Sequence, residues 1–374
     1  MTALAVLMLA IWIYLIFARG YFWLAEIADP VAPPRHWPSV VAVIPARNEA
    51  AVIGEAVQSL LAQDYSGELS VLVVDDHSSD GTAEAARAAG SAADERLAVV
   101  NAGSLPAGWT GKLWALSEGV RQIDDPPDLY LFTDADIAHH KTNLTELVAR
   151  LEGEGRDLVS LMVQLSCASL AERLLIPSFV YFFAMLYPFA WANDPHRATA
   201  AAAGGCVLIR RRAYERIGGC EAIKGALIDD CALARAVKRG GSIWLGFTRR
   251  TRSLRLYPRI ADVWNTVART AYTQLRHSPT LLAFTVVAMA VAFLLPPILV
   301  WDGGNALWLG LLGWTTMTLS YLPILRLYRL SAMWAPLLPL AALIYVGATI
   351  DSALRHWRGK GGEWKGRVQW QGRS

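Results

Sequence analysis

Acidic residues in this sequence fall in tight pairs just after short apolar runs, where a strand end would present them to a ligand. Thr133-Asp134-Ala135-Asp136 follows Leu129–Phe132. Two carboxylates one residue apart can place one on a hard divalent cation and the other on that metal or on a ribose. A diphosphate is the ligand whose concentrated charge such a cation neutralises. Asp134 and Asp136 are therefore the candidate metal ligands, Asp134 also facing the diphosphate. Asp75-Asp76-His77-Ser78-Ser79-Asp80-Gly81-Thr82 follows a second run. One of Asp75 and Asp76 suits a base or a ribose, whereas Asp80-Gly81 is a turn signal and Ser79 or Asp80 a candidate helix cap. Ile228-Asp229-Asp230-Cys231 opens a helix. A carboxylate aimed from there into a pocket suits a general base that takes the proton of an attacking hydroxyl. N-capping by Asp229 is the plainer alternative, and one acid can cap while the other reacts.

Three further groups carry weaker signals. Pro45-Ala46-Arg47-Asn48-Glu49 ends the first apolar run; it reads equally as a nucleotide-contacting loop and as a helix N-terminus with Asn48 and Glu49 favourable to the dipole. Lys112, in Gly108-Trp109-Thr110-Gly111-Lys112, sits at a helix start where it can meet a phosphate, although the GxxxxGK[ST] spacing of a P-loop is absent. Arg276, in Gln274-Leu275-Arg276-His277, precedes an apolar segment and suits a diphosphate or a lipid headgroup, or simply the membrane interface. His139 and His140 have no partner at a recognisable ligand spacing and read as surface residues.

The elements that must position these groups alternate in type. Strand candidates are Val40–Ile44, Leu69–Val74, Leu97–Val100, Leu129–Phe132 and Leu158–Val163. Helix candidates are Glu49–Gln63, Thr82–Ala89, Lys112–Gln122 and Leu144–Glu152. Such alternation predicts a mostly parallel sheet covered on both faces, with its chemistry beyond the carboxyl ends of the strands. Gly205–Arg210, Ser242–Gly246 and Thr251–Leu256 are further strand candidates, Leu174–Trp191 a buried or interfacial helix, and Ile260–Arg276 an amphipathic helix.

Hydrophobic residues make up 54% of the 374 residues and charged ones 18%, and the mean hydropathy is +0.31; that balance points to membrane segments. Ala3–Ala18 lacks a basic start and a clear cleavage site, so residues 1–20 read as an uncleaved anchor. Arg19, Arg35 and Arg47 after it place the following domain in the cytoplasm. Thr280–Trp301, Ala306–Leu325 and Trp334–Ile350 are each long enough to span, giving a membrane region over residues 280–350 and a basic tail over 351–374. Three spans put that tail outside, against its charge, and Pro336 and Pro339 offer a re-entrant last segment as the way out. Many of the 15 Trp residues sit near the ends of apolar runs, as interfacial anchors do. A net charge of +3 does not argue for nucleic acid. The four cysteines contain no CxxC pair, which disfavours zinc and suits free, buried thiols.

Taken in order, Pro45-Ala46-Arg47-Asn48-Glu49, Asp75-Asp76-x-Ser78-x-Asp80-Gly81-Thr82, Asp134-Ala135-Asp136 and Asp229-Asp230 resemble the family-2 inverting glycosyltransferases of the GT-A fold. Gly204-Gly205 and Ile217-Gly218-Gly219 look like that family's acceptor-side loop. The likeness spans residues 39–276 and implies an α/β, Rossmann-like, mostly parallel catalytic domain flanked by N-terminal and C-terminal transmembrane helices. Gly108-Trp109-x-Gly111-Lys112-x-x-Ala115-Leu116 and Glu363-Trp364-Lys365-Gly366-Arg367 resemble the ceramide glucosyltransferase and lipid-glycosylating branch. The nearest likeness is to bacterial hopanoid-associated glycosyltransferases. The resemblance implies transfer of a single sugar, with inversion, from a nucleotide-sugar to a membrane lipid, in hopanoid lipid biosynthesis. The acceptor would be hopanoid-type or another isoprenoid or glycolipid, the enzyme a multi-pass protein of the bacterial inner membrane, and a UDP-sugar the expected donor. By the same likeness Asp76 binds the nucleotide, Asp134 and Asp136 hold the diphosphate with Mg2+ or Mn2+, and Asp230 is the base. The (Q/R)xxRW motif of the processive and ceramide branches is kept only at Arg276; Thr273 and His277 replace its ends, which argues against a polymer-making synthase. A polysaccharide synthase and a non-catalytic membrane scaffold are the alternatives.

Overall fold

The computed structural model describes residues 2–90, 95–361, 363–364 and 367–368. The chain begins in helix α1 (Thr2–Ala18). The elements of the sheet domain then follow in the order β1 (Val40–Ala46), α2 (Ile53–Leu61), β2 (Leu69–Asp75), α3 (Thr82–Ala89), β3 (Leu97–Asn101), α4 (Gly111–Arg121), β4 (Leu129–Phe132), β5 (Ile137–Ala138), α5 (Asn143–Gly153) and β6 (Leu158–Gln164). After α6 (Leu170–Leu186) and α7 (Phe189–Asn193), the domain is completed by β7 (Val207–Arg210), α8 (Arg211–Arg216), α9 (Asp229–Lys238) and β8 (Ile243–Ser253). The chain divides into a sheet unit, residues 27–165 and 191–255, and an apolar unit, residues 1–26, 166–190 and 256–374.

All seven residues of β1 are buried, as a strand covered on both faces requires. Its alternate residues serve two cores. Val40, Ala42 and Ile44 pack with Ile53, Val57 and Leu60 of α2 and Leu144, Leu147 and Leu151 of α5. Val41 and Val43 pack on the other face with Leu113 and Leu116 of α4 and Leu233 and Val237 of α9. Each such aliphatic side chain contributes roughly 1.5–3 kcal/mol on full burial.

The strand order is β3-β2-β1-β4-β7-β6-β8-β5. β3, β2, β1 and β4 run parallel, and so do β6 and β8. β7 lies antiparallel to both β4 and β6, and β5 antiparallel to β8. Six of the eight strands thus share one sense, as expected of a mostly parallel sheet, and β7 and β5 run against it. β7 returns from the long excursion of residues 165–206, so no short helical crossover holds it to the parallel sense. Two expectations change. The helix expected from Glu49 begins at Ile53, because Asn48 takes a left-handed φ of 51° and turns the chain first. The two strands expected over 242–256 are the single strand β8, whose register against β6 shifts between Met162 and Gln164.

In the apolar unit, α10 (Ile260–Gln274) is the expected amphipathic helix. It is joined to α13 (Ala332–Trp357) by Trp264, whose Nε1 donates to Asp351 at 2.8 Å, and by Tyr272, whose N–H donates to Ser352 Oγ at 3.0 Å. Two helices, α11 (Pro279–Asp302) and α13, are long and apolar enough to cross a membrane. α1 is shorter. α12 (Gly304–Leu327) is long, but Gly, Thr, Ser and Tyr dilute its apolar surface. Pro336 lies in a 3-10 first turn and Pro339 at the start of the α-helical stretch, which then runs unbroken from Leu338 to Trp357. Glu363–Trp364 and Arg367–Val368 pair as a short antiparallel ladder; Lys365, Gly366 and Arg373 of the expected motif and tail lie outside the described residues.

Gly119 of α4 faces the sheet so closely that a Cβ there would stand 2.7 Å from Val74 Cγ2 and 2.8 Å from Val43 Cγ1. Both neighbours are fully buried, so they have nowhere to move. Gly119→Val is expected to lower stability by about 1–3 kcal/mol through overpacking. Thermal unfolding of the full chain in detergent, followed by tryptophan fluorescence, measures it; an unchanged midpoint would show that α4 can lift off the sheet freely.

Candidate active site

The loops after β1 and β2 are laced together by short polar bonds. Asn48 N–H donates to Ser78 Oγ at 2.9 Å, Ser79 N–H to Asn48 Oδ1 at 3.0 Å, Glu49 N–H to Thr82 Oγ1 at 2.8 Å and Ala50 N–H to Asp80 Oδ2 at 3.1 Å. Asn48 and Glu49 do not cap α2, whereas Asp80 Oδ1 accepts the first N–H of α3, that of Thr82, at 3.1 Å. Val52 and Gly81 occupy the N-cap positions of α2 and α3, without a side-chain bond. Arg47 donates to the Asp76 carbonyl at 2.5 Å and stands 3.7 Å from its carboxylate, which His77 Nδ1 also approaches at 3.2 Å. Asp76 has no exposed surface. Asp75 differs: its Oδ2 accepts the Ser78 N–H, while its buried Oδ1 has no hydrogen-bond partner. A buried acceptor without a donor costs free energy until a donor arrives, so Asp75 is the more open of the pair toward a ligand hydroxyl or amine.

Beside these loops a cleft is lined by Pro45, Lys112, Asp134, Gly204, Asp229 and Asp230, among others. Lys112, in the first turn of α4, reaches Asp134 Oδ1 at 2.8 Å and Asp229 Oδ2 at 3.0 Å. Burial works to lower the Lys112 pKa, but the negative charges of Asp134, Asp229 and Asp230 outweigh it and raise the ammonium above the ordinary lysine range. Burial also raises the Asp134 carboxyl, against the pull of Lys112.

The adjacent acids at the start of α9 have different partners. Ile228 occupies the N-cap position without a side-chain bond, so Asp229 is not a cap; it is the acid bound to Lys112. Asp230 Oδ2 accepts the Gly204 N–H at 2.8 Å and Oδ1 accepts the Cys231 N–H at 2.7 Å. Burial, with Asp229 next to it, pushes the Asp230 carboxyl up to about 6. A Cβ at Gly204 would lie 3.1 Å from Lys112 Nζ and 3.3 Å from Asp230 Oδ2 and would press on both groups.

Asp136 is held apart from this trio. Its Oδ2 accepts from Arg255 Nε at 2.9 Å and from Ser253 Oγ at 3.2 Å, and Arg255 Nη2 reaches Glu49 Oε1 at 2.5 Å. Arg255 carries no motif in the sequence and was not among the candidates; only its place at the end of β8 brings it to two of them. His139, read as a surface residue, is 6% exposed. It bonds Thr133 and Asn143 at 2.9 and 3.0 Å, and burial lowers its pKa to about 3, so it is a neutral core histidine that fastens the turn after β4. His140 is half-buried. Arg276 belongs to the apolar unit, just past the C-terminus of α10 with a φ of 53°. The four cysteines are free, and Cys206, Cys220 and Cys231 are buried.

A divalent cation can be tested against these donors. Among the described residues no group of three or more His, Cys, Asp or Glu side chains could hold a metal unaided. Mg2+-like cations in phosphate-transfer sites commonly take one or two carboxylates and complete their shell from ligand phosphates and water. Asp134, with 37% of its side chain exposed, fits that role; Asp136, 11% exposed and clamped by Arg255, is the less open donor.

Residues 41–218 match the profile of "Glycosyl transferase family 2". The chain is similar, at 34% identity over 115 residues, to an N-acetylglucosaminyltransferase from Azorhizobium caulinodans. That match covers 30% of this chain, which spans only 28% of the relative's length. In fold it is similar to the mannosyltransferase PcManGT from Pyrobaculum calidifontis, solved in complex with GDP-Man and Mn2+. The TM-score is 0.59 at 21% identity, over 96% of this chain and 99% of that one. The profile match supports a family-2 glycosyltransferase domain over residues 41–218, and the shared fold is a GT-A-like mixed sheet.

Proposed function

We propose that this protein transfers a single sugar, with inversion, from a nucleotide-sugar to a membrane lipid, of the hopanoid or a related isoprenoid or glycolipid class. The observation that carries the reading is one cleft in which Lys112 joins Asp134 to Asp229 while Asp230 stands beside them on its own partners. The loops after β1 and β2 form the nucleotide side. Asp75 offers its unpartnered oxygen to a ribose or base donor, and Arg47, Asn48 and Glu49 hold that loop pair in shape. Asp134, with Asp136, would hold Mg2+ or Mn2+ against the diphosphate, and the bound cation would neutralise the charge of the leaving group.

The acceptor hydroxyl oxygen attacks the anomeric carbon as the bond from that carbon to the diphosphate oxygen breaks. The hydroxyl proton passes to Asp230, and the nucleoside diphosphate departs with the bonding pair. A single displacement of this kind inverts the anomeric configuration. A carboxylate whose pKa has risen to about 6 is a stronger base than an ordinary aspartate and is still ionised at neutral pH. The lipid acceptor is supported by the apolar helices. Phe284, Val287, Ile298 and Trp301 of α11 and Leu340 and Leu343 of α13 are large apolar side chains left exposed, a surface suited to bilayer hydrocarbon. The basic residues Arg19, Arg35 and Arg47 after α1 favour a cytoplasmic sheet unit at the inner membrane.

Purified full-length protein in nanodiscs, offered UDP-, GDP- and dTDP-sugars with Mn2+ or EDTA, is expected to release nucleoside diphosphate from one donor only with metal. Asp134→Ala should lower that release by at least about a hundredfold. Release that ignores both EDTA and Asp134→Ala would sink the reading.

Asp230→Asn should separate chemistry from stability. Transfer is expected to fall by about 10²–10⁴. The folded-state pKa of Asp230 is raised, so the folded protein holds a proton between about pH 4 and 6 that the unfolded chain releases. Its contribution therefore favours the fold at low pH and is lost as pH rises through about 6. Unfolding midpoints should show Asp230→Asn gaining on the wild type across that window; a constant difference from pH 4 to 7 would mean that Asp230 titrates as an ordinary aspartate.

A further inference from the structure

The donor-side acid Asp134 and the acceptor-side acid Asp229 come from loops almost a hundred residues apart in sequence, yet one ammonium group holds both. We propose that Lys112 is a resident counter-cation that competes with the divalent metal for Asp134, so that metal is taken up together with the nucleotide rather than before it. The inference rests on the glycosyltransferase reading and deepens it.

Three features carry the argument. First, the lysine is anchored at its root. Its neighbours Leu113, Trp114 and Ala115 are buried against the sheet, and Thr110 N–H is tied to the Lys224 carbonyl at 2.9 Å. The stem therefore starts from a fixed point, and only the head is free to change partners. Second, the head has two carboxylates, so it can leave Asp134 without losing Asp229. A lysine ammonium is a compact charge on a flexible stem and accepts such an exchange. The other cation of the site is built differently: Arg255 bridges Asp136 and Glu49 through two different nitrogens and would lose both contacts by moving. Third, the acids Asp134, Asp229 and Asp230 share one small cleft with a single lysine. With Lys112 in place, a bare dication meets at Asp134 a carboxylate whose charge is already paired through Oδ1 at 2.8 Å, and a neighbouring ammonium that repels it. A nucleotide diphosphate removes that obstacle, because its oxygens give the Lys112 head a new anionic partner next to the one it gives up.

Lys112 is a positioning residue in this scheme, and the test reads metal occupancy rather than turnover. Mn2+ binding to full-length protein in nanodiscs is followed by electron paramagnetic resonance, without nucleotide and with UDP or GDP. Wild-type protein should bind Mn2+ at least about tenfold more tightly with one of the nucleotides, a result that needs no variant. Lys112→Gln should bind nucleotide-free Mn2+ at least about tenfold more tightly than wild type. Lys112→Arg, which keeps the charge, should not, and Lys112→Gln combined with Asp134→Asn should lose the gain. The proposal is overturned if wild-type affinity is indifferent to nucleotide, if Lys112→Gln binds no more tightly than wild type, or if its gain survives Asp134→Asn. Sugar transfer that persists in EDTA would instead remove the metal from the proposed function, and this inference would fall with it. Sugar transfer that requires Mn2+, in protein whose Lys112→Gln form shows no gain, would leave the function standing and reject the counter-cation alone.

Discussion

Acids gathered in one cleft repel one another, and the site exists because a cation is built in among them. Lys112 supplies it for Asp134 and Asp229, and Arg255 does the same for Asp136 and Glu49. Each link spans elements that only the finished sheet brings together: α4 with the ends of β4 and α9, and the end of β8 with the loops after β1 and β4. Removing one partner of such a partly buried pair leaves the other acids without their counter-ion. The cleft and the fold are therefore not separable, since the carboxylates can be crowded only where the backbone also delivers their counter-ions.

That crowding also divides the work between identical side chains. Asp229 and Asp230 are neighbours in sequence, but one is bound to an ammonium and the other to two backbone N–H groups; burial and the charge of Asp229 raise the Asp230 carboxyl against the pull of those N–H groups. Asp75 and Asp76 are divided in the same way. The guanidinium of Arg47 and the ring of His77 approach Asp76, while Asp75 keeps one oxygen without a donor. Environment, not residue type, sets the role.

Much of the frame was legible in the sequence because strands buried on both faces must be continuous apolar runs. β1, β2, β4 and β6 follow from that alone, and α3 was bounded correctly by its Asp-Gly turn. The reversed sense of β7 was not legible, since apolar pattern carries no direction. The roles of Asn48 and Glu49 were missed for a related reason. Their partners Ser78, Ser79 and Thr82 lie some thirty residues on, and local rules for helix caps see only three or four. Within the site, each acidic pair was visible as a pair, whereas the cations that separate the acids were not: Lys112 was read as a phosphate ligand, and Arg255 gave no signal at all. Charge partners are chosen by topology, and topology was the part of the fold that pattern left open.

The central position of β7 has a consequence for how the chain comes off the ribosome. β1 to β6 are made first, and β4 and β6 then each present an unpaired edge until residues 207–210 emerge, after the whole apolar stretch of α6 has been synthesised. Open sheet edges pair readily with other chains, and long-range strand insertion is slow. The nascent protein thus passes through an interval in which its most buried strands are its most exposed ones, and whatever shields those edges would decide how many chains survive it.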